Sequence, residues 1–168
     1  MIERILVAVD DSPESLGAAR VAAGMAAGWG ARVRILTVVE DSVVGEALEA
    51  VGGPGTAGRR SAGAERLVEH VAAEMRARGV ADDRIETVVT TGSPFRSIVE
   101  VSRSWPADLV VMAVSDRRGL RSPYVGSETE RVLEFSECPV LVVPAQAGRG
   151  ADAGDRTGRR RGWRDGPA

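Results

Sequence analysis

Five short apolar segments alternate with helix-like segments along this chain, and this alternation limits its fold more than any other feature. Most of these segments are apolar at nearly every position, which is typical of strands buried on both faces of a parallel sheet. We predict an α/β fold: an open, parallel, five-stranded sheet with helices on both faces, joined by right-handed crossovers. The predicted strands are Ile5–Val9, Val33–Val39, Ile85–Thr90, Leu109–Val114 and Val140–Val143.

Serine-proline pairs and glycines mark the helix boundaries. Ser12 and Ser93 are good N-cap residues, and each precedes a proline that suits the first helical position. The glycine-rich stretch from Glu40 to Arg60 is interpreted either as a mobile lid over the carboxyl edge of the sheet or as an exposed crossover. The predicted helices run from Pro13 to about Ala27 (ended by Gly28 and Gly30), from about Ser61 to Arg78, and from Pro94 to about Ser104.

The stretch from Asp108 to Pro144 contains the strongest functional signal. An apolar strand leads into a polar, arginine-rich loop, and Gly126-Ser127 then opens an amphipathic helix that precedes the last strand. A helix N-terminus has unpaired N–H groups and a partial positive charge. A loop that ends at such a helix can therefore bind an anion.

This stretch resembles the nucleotide loop and last helix-strand unit of the universal stress protein family. ATP-binding members have Gly-x2-Gly-x9-Gly-Ser here, followed by a helix and a Cys-Pro-Val-Leu-Val-Val-like strand. In this chain the first two glycines are replaced by Ala113 and Asp116, whereas Gly126-Ser127 matches. The resemblance covers about Ile2 to Pro144. It implies a Rossmann-like sheet with strand order 3-2-1-4-5, which would place Asp10 and the loop from Ala113 to Ser127 in one crevice at the point where the strand order reverses.

The resemblance also implies a set of nucleotide contacts. The Asp10 carboxylate would contact the adenine side of the nucleotide, beside backbone groups of Ala8 and Val9, and the Val38 backbone would contact adenine. The alternatives remain open, because Asp10 also suits a cap of the adjoining turn and Val38 suits the core. The candidate nucleotide-binding residues are Ala8, Val9, Asp10, Val38, Ala113, Asp116, Gly126 and Ser127.

The phosphate side of this motif is only half retained. Gly126 allows close backbone approach and the Ser127 hydroxyl can donate to a phosphate, yet Ser127-Glu-Thr-Glu130 also reads as a capping box that needs no ligand. The carboxylate of Asp116 would lie near the polyphosphate, and two unit charges ~4 Å apart at an effective dielectric of about 20 repel by roughly 4 kcal/mol. Arg117, Arg118 and Arg121 would either offset this charge or pair with Asp116.

Composition excludes several other classes of protein. The formal net charge of −2 argues against a nucleic-acid binder, although all 22 basic residues are arginine. One cysteine, Cys138, suits a reducing cytosol and a packing role, and His70 reads as a surface residue. No apolar run reaches membrane-spanning length, and we expect no signal peptide, so a cytoplasmic location is predicted. There is no catalytic triad, no metal cluster and no Walker-type motif, so the sequence gives no support for enzymatic activity.

We therefore predict a family domain over residues 1–144 and a Gly/Arg-rich disordered tail over 145–168. Val140–Val143 would be an apolar edge strand with no charge to blunt it, so we expect a homodimer through this strand, as the resemblance also implies. Two function classes are open. One is a stress-response regulator that acts by dimerising and contacting unknown protein partners, with ATP or AMP binding weak or lost. The other is an ATP-binding member, with or without slow hydrolysis.

Overall fold

A computed structural model describes residues 1–40, 56–114 and 126–144 of the chain. Within them, five parallel strands form one sheet in the order β3-β2-β1-β4-β5, which confirms the predicted 3-2-1-4-5 topology. The elements along the chain are β1 (Arg4–Ala8), α1 (Pro13–Trp29), β2 (Arg32–Val39), α2 (Thr56–Ala77), a 3-10 turn (Asp82–Arg84), β3 (Ile85–Thr91), α3 (Pro94–Ser104), β4 (Leu109–Ala113), α4 (Ser127–Phe135) and β5 (Val140–Val143).

The central strands are buried on both faces, because helices cover each side of the sheet. Alternate residues of β1 enter different cores: Ile5 packs with α1 and α2, whereas Leu6 packs on the side of α3 and α4. Both side chains are fully buried. This two-sided burial explains why β1 is continuously apolar rather than alternating.

Helix α1 packs against the sheet through small side chains. The Ser12 hydroxyl caps its start, accepting a hydrogen bond from the Ser15 backbone N–H at 3.2 Å. Gly30, with a φ of 66°, ends it, so the prediction that Gly28 helps to end the helix is wrong. No described atom lies within 4 Å of a Cβ built on Gly28, and its place in the last turn is tolerated at a modest cost in helix propensity. The buried face is almost free of large residues and consists of Ser15, Gly17, Ala18, Ala19, Ala22, Ala23 and Ala26.

Helix α2 begins earlier than the sequence predicts. It starts at Thr56 instead of Ser61, so the predicted loop from Glu40 to Arg60 does not extend to Arg60. Arg59 and Arg60, near its start, are good helix formers, and Gly58 costs only about 1 kcal/mol relative to alanine. The remainder of that loop, residues 41–55, lies outside the described residues, as does the tail over 145–168.

The structure also shows how far the roles predicted for His70 and Cys138, a surface residue and a packing residue, are met. His70 is exposed, as predicted. Cys138 packs against the core on the α3 and α4 side, as predicted, although it is half-buried rather than fully buried. It lies in the short turn before β5, with its sulfur 3.6 Å from the Ser136 hydroxyl oxygen.

Candidate functional site

The candidate site lies at the carboxyl edge of the sheet, where the strand order reverses. β1 and β4 are neighbours, with Val7 paired to Val111, so Ala8, Val9 and Asp10 leave the sheet beside Ala113. The Val9 backbone N–H donates to the Leu36 carbonyl at 2.8 Å, which extends the pairing of β1 with β2 beyond the last strand residue. The end of β1 is therefore held between two neighbouring strands.

Asp10 organises the turn between β1 and α1. Its carboxylate accepts hydrogen bonds from the Ser12 backbone N–H at 3.1 Å and from the Ser12 hydroxyl. Its own backbone N–H donates to the buried Ser15 hydroxyl at 2.9 Å. The structural role considered for Asp10, capping of the adjoining turn, is thus present. A contact from the same carboxylate to adenine remains a prediction.

Val38 and Ala113 lie near the carboxyl ends of β2 and β4, as predicted. Val38 is half-buried, pairs with Thr90 and packs against the core on the α3 and α4 side. Ala113 is half-buried, pairs with Val143 and packs against the opposite core. Asp116 lies outside the described residues, so its predicted effect on a polyphosphate stays a prediction.

Gly126 begins α4 and gives the candidate site its open helix end. It has a φ of 79° and a ψ of 143°, a conformation available essentially to glycine alone. The Gly126 carbonyl accepts the first helical hydrogen bond, from the Glu130 backbone N–H at 3.0 Å. Among the described residues, no side chain caps this N-terminus, and Ser127 is exposed. The N–H groups of the first turn are therefore the feature of the candidate site that is chemically suited to an anion.

The predicted capping box at this helix is wrong. Gly126 makes the turn into the helix one residue earlier than expected, so Ser127 is the first helical residue and not the cap. A serine in helical conformation cannot place its hydroxyl over the N–H groups of the following turn.

Glu128 plays a role that the sequence did not suggest. Its carboxylate accepts a hydrogen bond from the Phe95 backbone N–H at 3.0 Å and so caps the N-terminus of α3. Ser93, the residue predicted to cap α3, makes no side-chain cap. The Arg131 guanidinium lies 3.8 Å from the same carboxylate. The negative charge of Glu128 is thus engaged at a neighbouring helix.

Across residues 1–40, 56–114 and 126–144, no three His, Cys, Asp or Glu side chains lie close enough together to hold a metal ion. In the same part of the chain, no helix combines the length and apolar character needed to cross a membrane.

Helices cover both faces of the parallel sheet, and a helix that begins after Gly126 lies where the strand order reverses. These features define a Rossmann-like α/β protein. The model of the universal stress protein family matches residues 1–144. The universal stress protein MJ0531 of Methanocaldococcus jannaschii is 34% identical over 146 residues, which cover 85% of this chain and 82% of that protein. The chain belongs to the universal stress protein family.

Solved structures share the fold. Universal stress protein UspA from Lactobacillus plantarum superposes with a TM-score of 0.73 at 25% identity, over 84% of this chain and 97% of that one. A universal stress protein in complex with cAMP has a TM-score of 0.64 at 22% identity, over 86% and 98% of the two chains. The universal stress protein from Archaeoglobus fulgidus in complex with dAMP has a TM-score of 0.63 at 17% identity, over 85% and 98%.

Proposed function

We propose that this protein is a cytoplasmic stress-response regulator that acts by dimerising and contacting protein partners, and that it binds adenine nucleotides weakly. The observation that carries the nucleotide part is the open N-terminus of α4, which Gly126 starts and which no described side chain caps. This helix end offers N–H groups and a partial positive charge to a phosphate. Two fold neighbours, solved with cAMP and dAMP, support an adenine mononucleotide as the ligand class.

Two substitutions are the reason for proposing weak rather than tight binding. Ala113 adds a methyl group at the end of β4, where family members with the full motif have glycine. Asp116 adds a carboxylate to the loop that the nucleotide phosphates would approach. If only about 1.4 kcal/mol of the repulsion survives screening, the affinity still falls about tenfold.

Calorimetric titration with ATP and with AMP tests this proposal. We expect weak binding, with AMP disfavoured less than ATP because it brings fewer negative charges near Asp116. The double variant Ala113→Gly, Asp116→Gly is expected to strengthen ATP binding by about tenfold or more. As a matched control, Asp83→Gly removes a carboxylate from the exposed turn at the opposite edge of the sheet and is expected to change nothing.

The second candidate function, tight ATP binding with or without slow hydrolysis, is favoured by the same open helix end. Tight micromolar ATP binding by the unmodified protein would reject weak binding and select this candidate. Hydrolysis would then be measured as phosphate release. No binding by either form would remove the nucleotide from the proposal and leave the partner-contact function.

The dimer is proposed from the contrast between the two edges of the sheet. At one edge, β5 is apolar at all four positions, and only Val143 is fully buried. At the other edge, β3 bears Glu86, whose carboxylate accepts a hydrogen bond from the Arg34 guanidinium at 3.1 Å. Edge strands without charge pair readily with another chain, which supports β5 as the dimer contact.

Sedimentation at micromolar concentration tests the dimer. We expect a dimer for the unmodified protein and a folded monomer for Leu141→Arg, because a buried unpaired charge would oppose strand pairing. Thr87→Arg, which places the same side chain at an exposed position on the other edge, should remain dimeric. A monomeric unmodified protein, or a dimeric Leu141→Arg variant, would rule out pairing through β5.

A further inference from the structure

An open cleft of about 480 Å³ lies at the amino edge of the sheet, on the side opposite the candidate nucleotide crevice. Arg4, Arg32 and Arg84 line it. Arg4 is the first residue of β1 and pairs with Arg32, the first residue of β2. Arg84 directly precedes Ile85, whose partner is Val33, so it stands level with Arg32 on the next strand. Adjacent strands lie about 4.8 Å apart, so three arginines stand in a row across three neighbouring strands.

The positive charge of this row is only partly neutralised, because Glu3 alone adds a carboxylate to the lining of the cleft. Among the described residues, neither Arg4 nor Arg32 makes an ion pair with a carboxylate within 4 Å. The Asp108 carboxylate nearby accepts hydrogen bonds from the backbone N–H groups of Glu3 and Arg4, both at 2.9 Å. The guanidinium of Arg84 donates to the Gly30 carbonyl, which anchors it at the end of α1. Like charges on neighbouring strands repel each other, and an anion in the cleft would relieve that repulsion.

Two indole rings form walls of the same cleft. Trp29, at the last position of α1, is 49% exposed, an unusual state for so large an apolar side chain. Trp105 lies at the end of α3, and the guanidinium carbon of Arg34 sits 4.6 Å from the centre of its ring. This cation–π contact holds Trp105 in place, while Arg34 itself is paired with Glu86. The cleft therefore combines two indole rings with three guanidinium groups, and Met1, Glu3 and Gly30 complete its lining.

We infer that this cleft is a second ligand site, one that binds a small aromatic anion bearing a phosphate or carboxylate group. Guanidinium groups form paired hydrogen bonds to such oxyanions, and indole faces stack on planar rings. The cleft volume falls within the range of small-molecule sites in proteins, roughly 300–1,000 Å³. The site stands apart from the proposed nucleotide site because the two lie at opposite ends of β1. Its existence does not depend on nucleotide binding.

Tryptophan fluorescence gives a direct readout of this site, with phenyl phosphate as the probe. The chain has three tryptophans, and two of them line the cleft. In a Trp163→Phe background, all tryptophan emission therefore comes from the cleft. We expect saturable quenching by phenyl phosphate that weakens as the salt concentration rises to about 0.15 M. Quenching that is linear in phenyl phosphate, without saturation, would overturn the proposal.

Variants and control ligands sharpen the experiment. Arg32→Gln, at an exposed position, should weaken binding by about tenfold. Arg60→Gln is the matched control, because Arg60 is an exposed arginine in the first turns of α2, at the carboxyl edge. Equal losses in the two variants would contradict the site. Benzyl alcohol should not quench, and inorganic phosphate should bind more weakly than phenyl phosphate. An effect of the Ala113→Gly, Asp116→Gly pair on phenyl phosphate binding, with none from Arg32→Gln, would place the probe in the nucleotide crevice and overturn the inference.

Discussion

At Gly126 the backbone takes a φ of 79° and a ψ of 143° just before α4, and this single residue sets the open helix end on which the candidate site depends. Replacing it with alanine should destabilise the protein by about 1–3 kcal/mol, because a Cβ makes this conformation strained. For a chain of this size, each kcal/mol lowers Tm by roughly 2–4 °C. Differential scanning calorimetry measures the shift.

Gly24 provides the matched control for this substitution. It lies inside α1 with no described atom within 4 Å of an added Cβ. Gly24→Ala should raise stability by about 0.5–1 kcal/mol, because alanine is the better helix former. Shifts of the two variants in the same direction would contradict the interpretation of Gly126.

The Asp108 carboxylate joins the start of β4 to the start of β1, because it accepts hydrogen bonds from two backbone N–H groups there. The N–H of Glu3 first, and then that of Arg4, hold the pKa of its carboxyl below the ordinary value of 3.8, and the positive charges of Arg4 and the N-terminus add to this. A lowered folded-state pKa means that the stabilisation is fully present above the unfolded-state pKa. It is lost as the pH falls through the folded-state pKa.

Asp108→Asn should therefore cost about 1–2 kcal/mol at neutral pH, and the gap to the unmodified protein should close as the pH falls below about 4. Urea unfolding at a series of pH values measures this. Asp83→Asn, in the exposed turn before β3, is the matched control and should change stability at neutral pH by much less than Asp108→Asn. A gap for Asp108→Asn that stays constant down to low pH would show that the charge of Asp108 is not what stabilises the contact.

At the scale of elements, Glu128 links the first turn of α4 to the first turn of α3. Glu128→Ala should destabilise the protein by about 1 kcal/mol, the usual cost of removing an N-terminal cap. Glu130→Ala is the matched control, because it removes a carboxylate from the same first turn but from an exposed position. Denaturant midpoints compare the two. An equal loss for Glu130→Ala would mean that the charge near α4, rather than the cap on α3, accounts for the effect.

Glu128 also shows where prediction from sequence ends. The five strands were predictable from their runs of apolar residues, and the starts of α1 and α3 followed from local signals such as Ser12-Pro13 and Pro94. The cap on Phe95 was not predictable, since its acceptor lies 33 positions away in the chain. The family resemblance supplied the strand order, which periodicity alone does not determine. For the candidate site, Val38 and Ala113 lie near the carboxyl ends of their strands, whereas Ser127 is the first helical residue and not a cap. The nucleotide contacts predicted for the site residues remain predictions.

The row of arginines at the amino edge was also not predicted from the sequence, for a different reason. Arg4, Arg32 and Arg84 each stand at or just before the start of a strand, so their positions were visible in the sequence. Their proximity was not, because it requires the register in which Arg4 pairs with Arg32. The sequence therefore showed that each of these strands begins near an arginine, but it did not show that the three arginines lie side by side.

At the scale of the whole molecule, the sheet and the described helices lie between Arg4 and Val143. Ending the chain at Pro144 should leave Tm nearly unchanged, because residues 145–168 contain few apolar side chains that could pack. Ending it at Ser136 should prevent stable folding, because β4 then loses its pairing with β5 and the buried Val143. A fall of several degrees on the first truncation would show that the tail contributes to the packed structure.

The small side chains that line the buried face of α1 bring the helix close to the sheet. Evolution can therefore change that face only within narrow limits, and larger side chains are the most strongly excluded. Replacing Ala22 or Ala23 with glycine removes one methyl group and costs about 1 kcal/mol in helix propensity. Replacing either with valine or leucine inserts atoms where both side chains are fully buried and no space exists. Divergence along this lineage should therefore keep the face small while the exposed face of the same helix drifts. A larger residue could become fixed only together with a compensating reduction in β1 or β4.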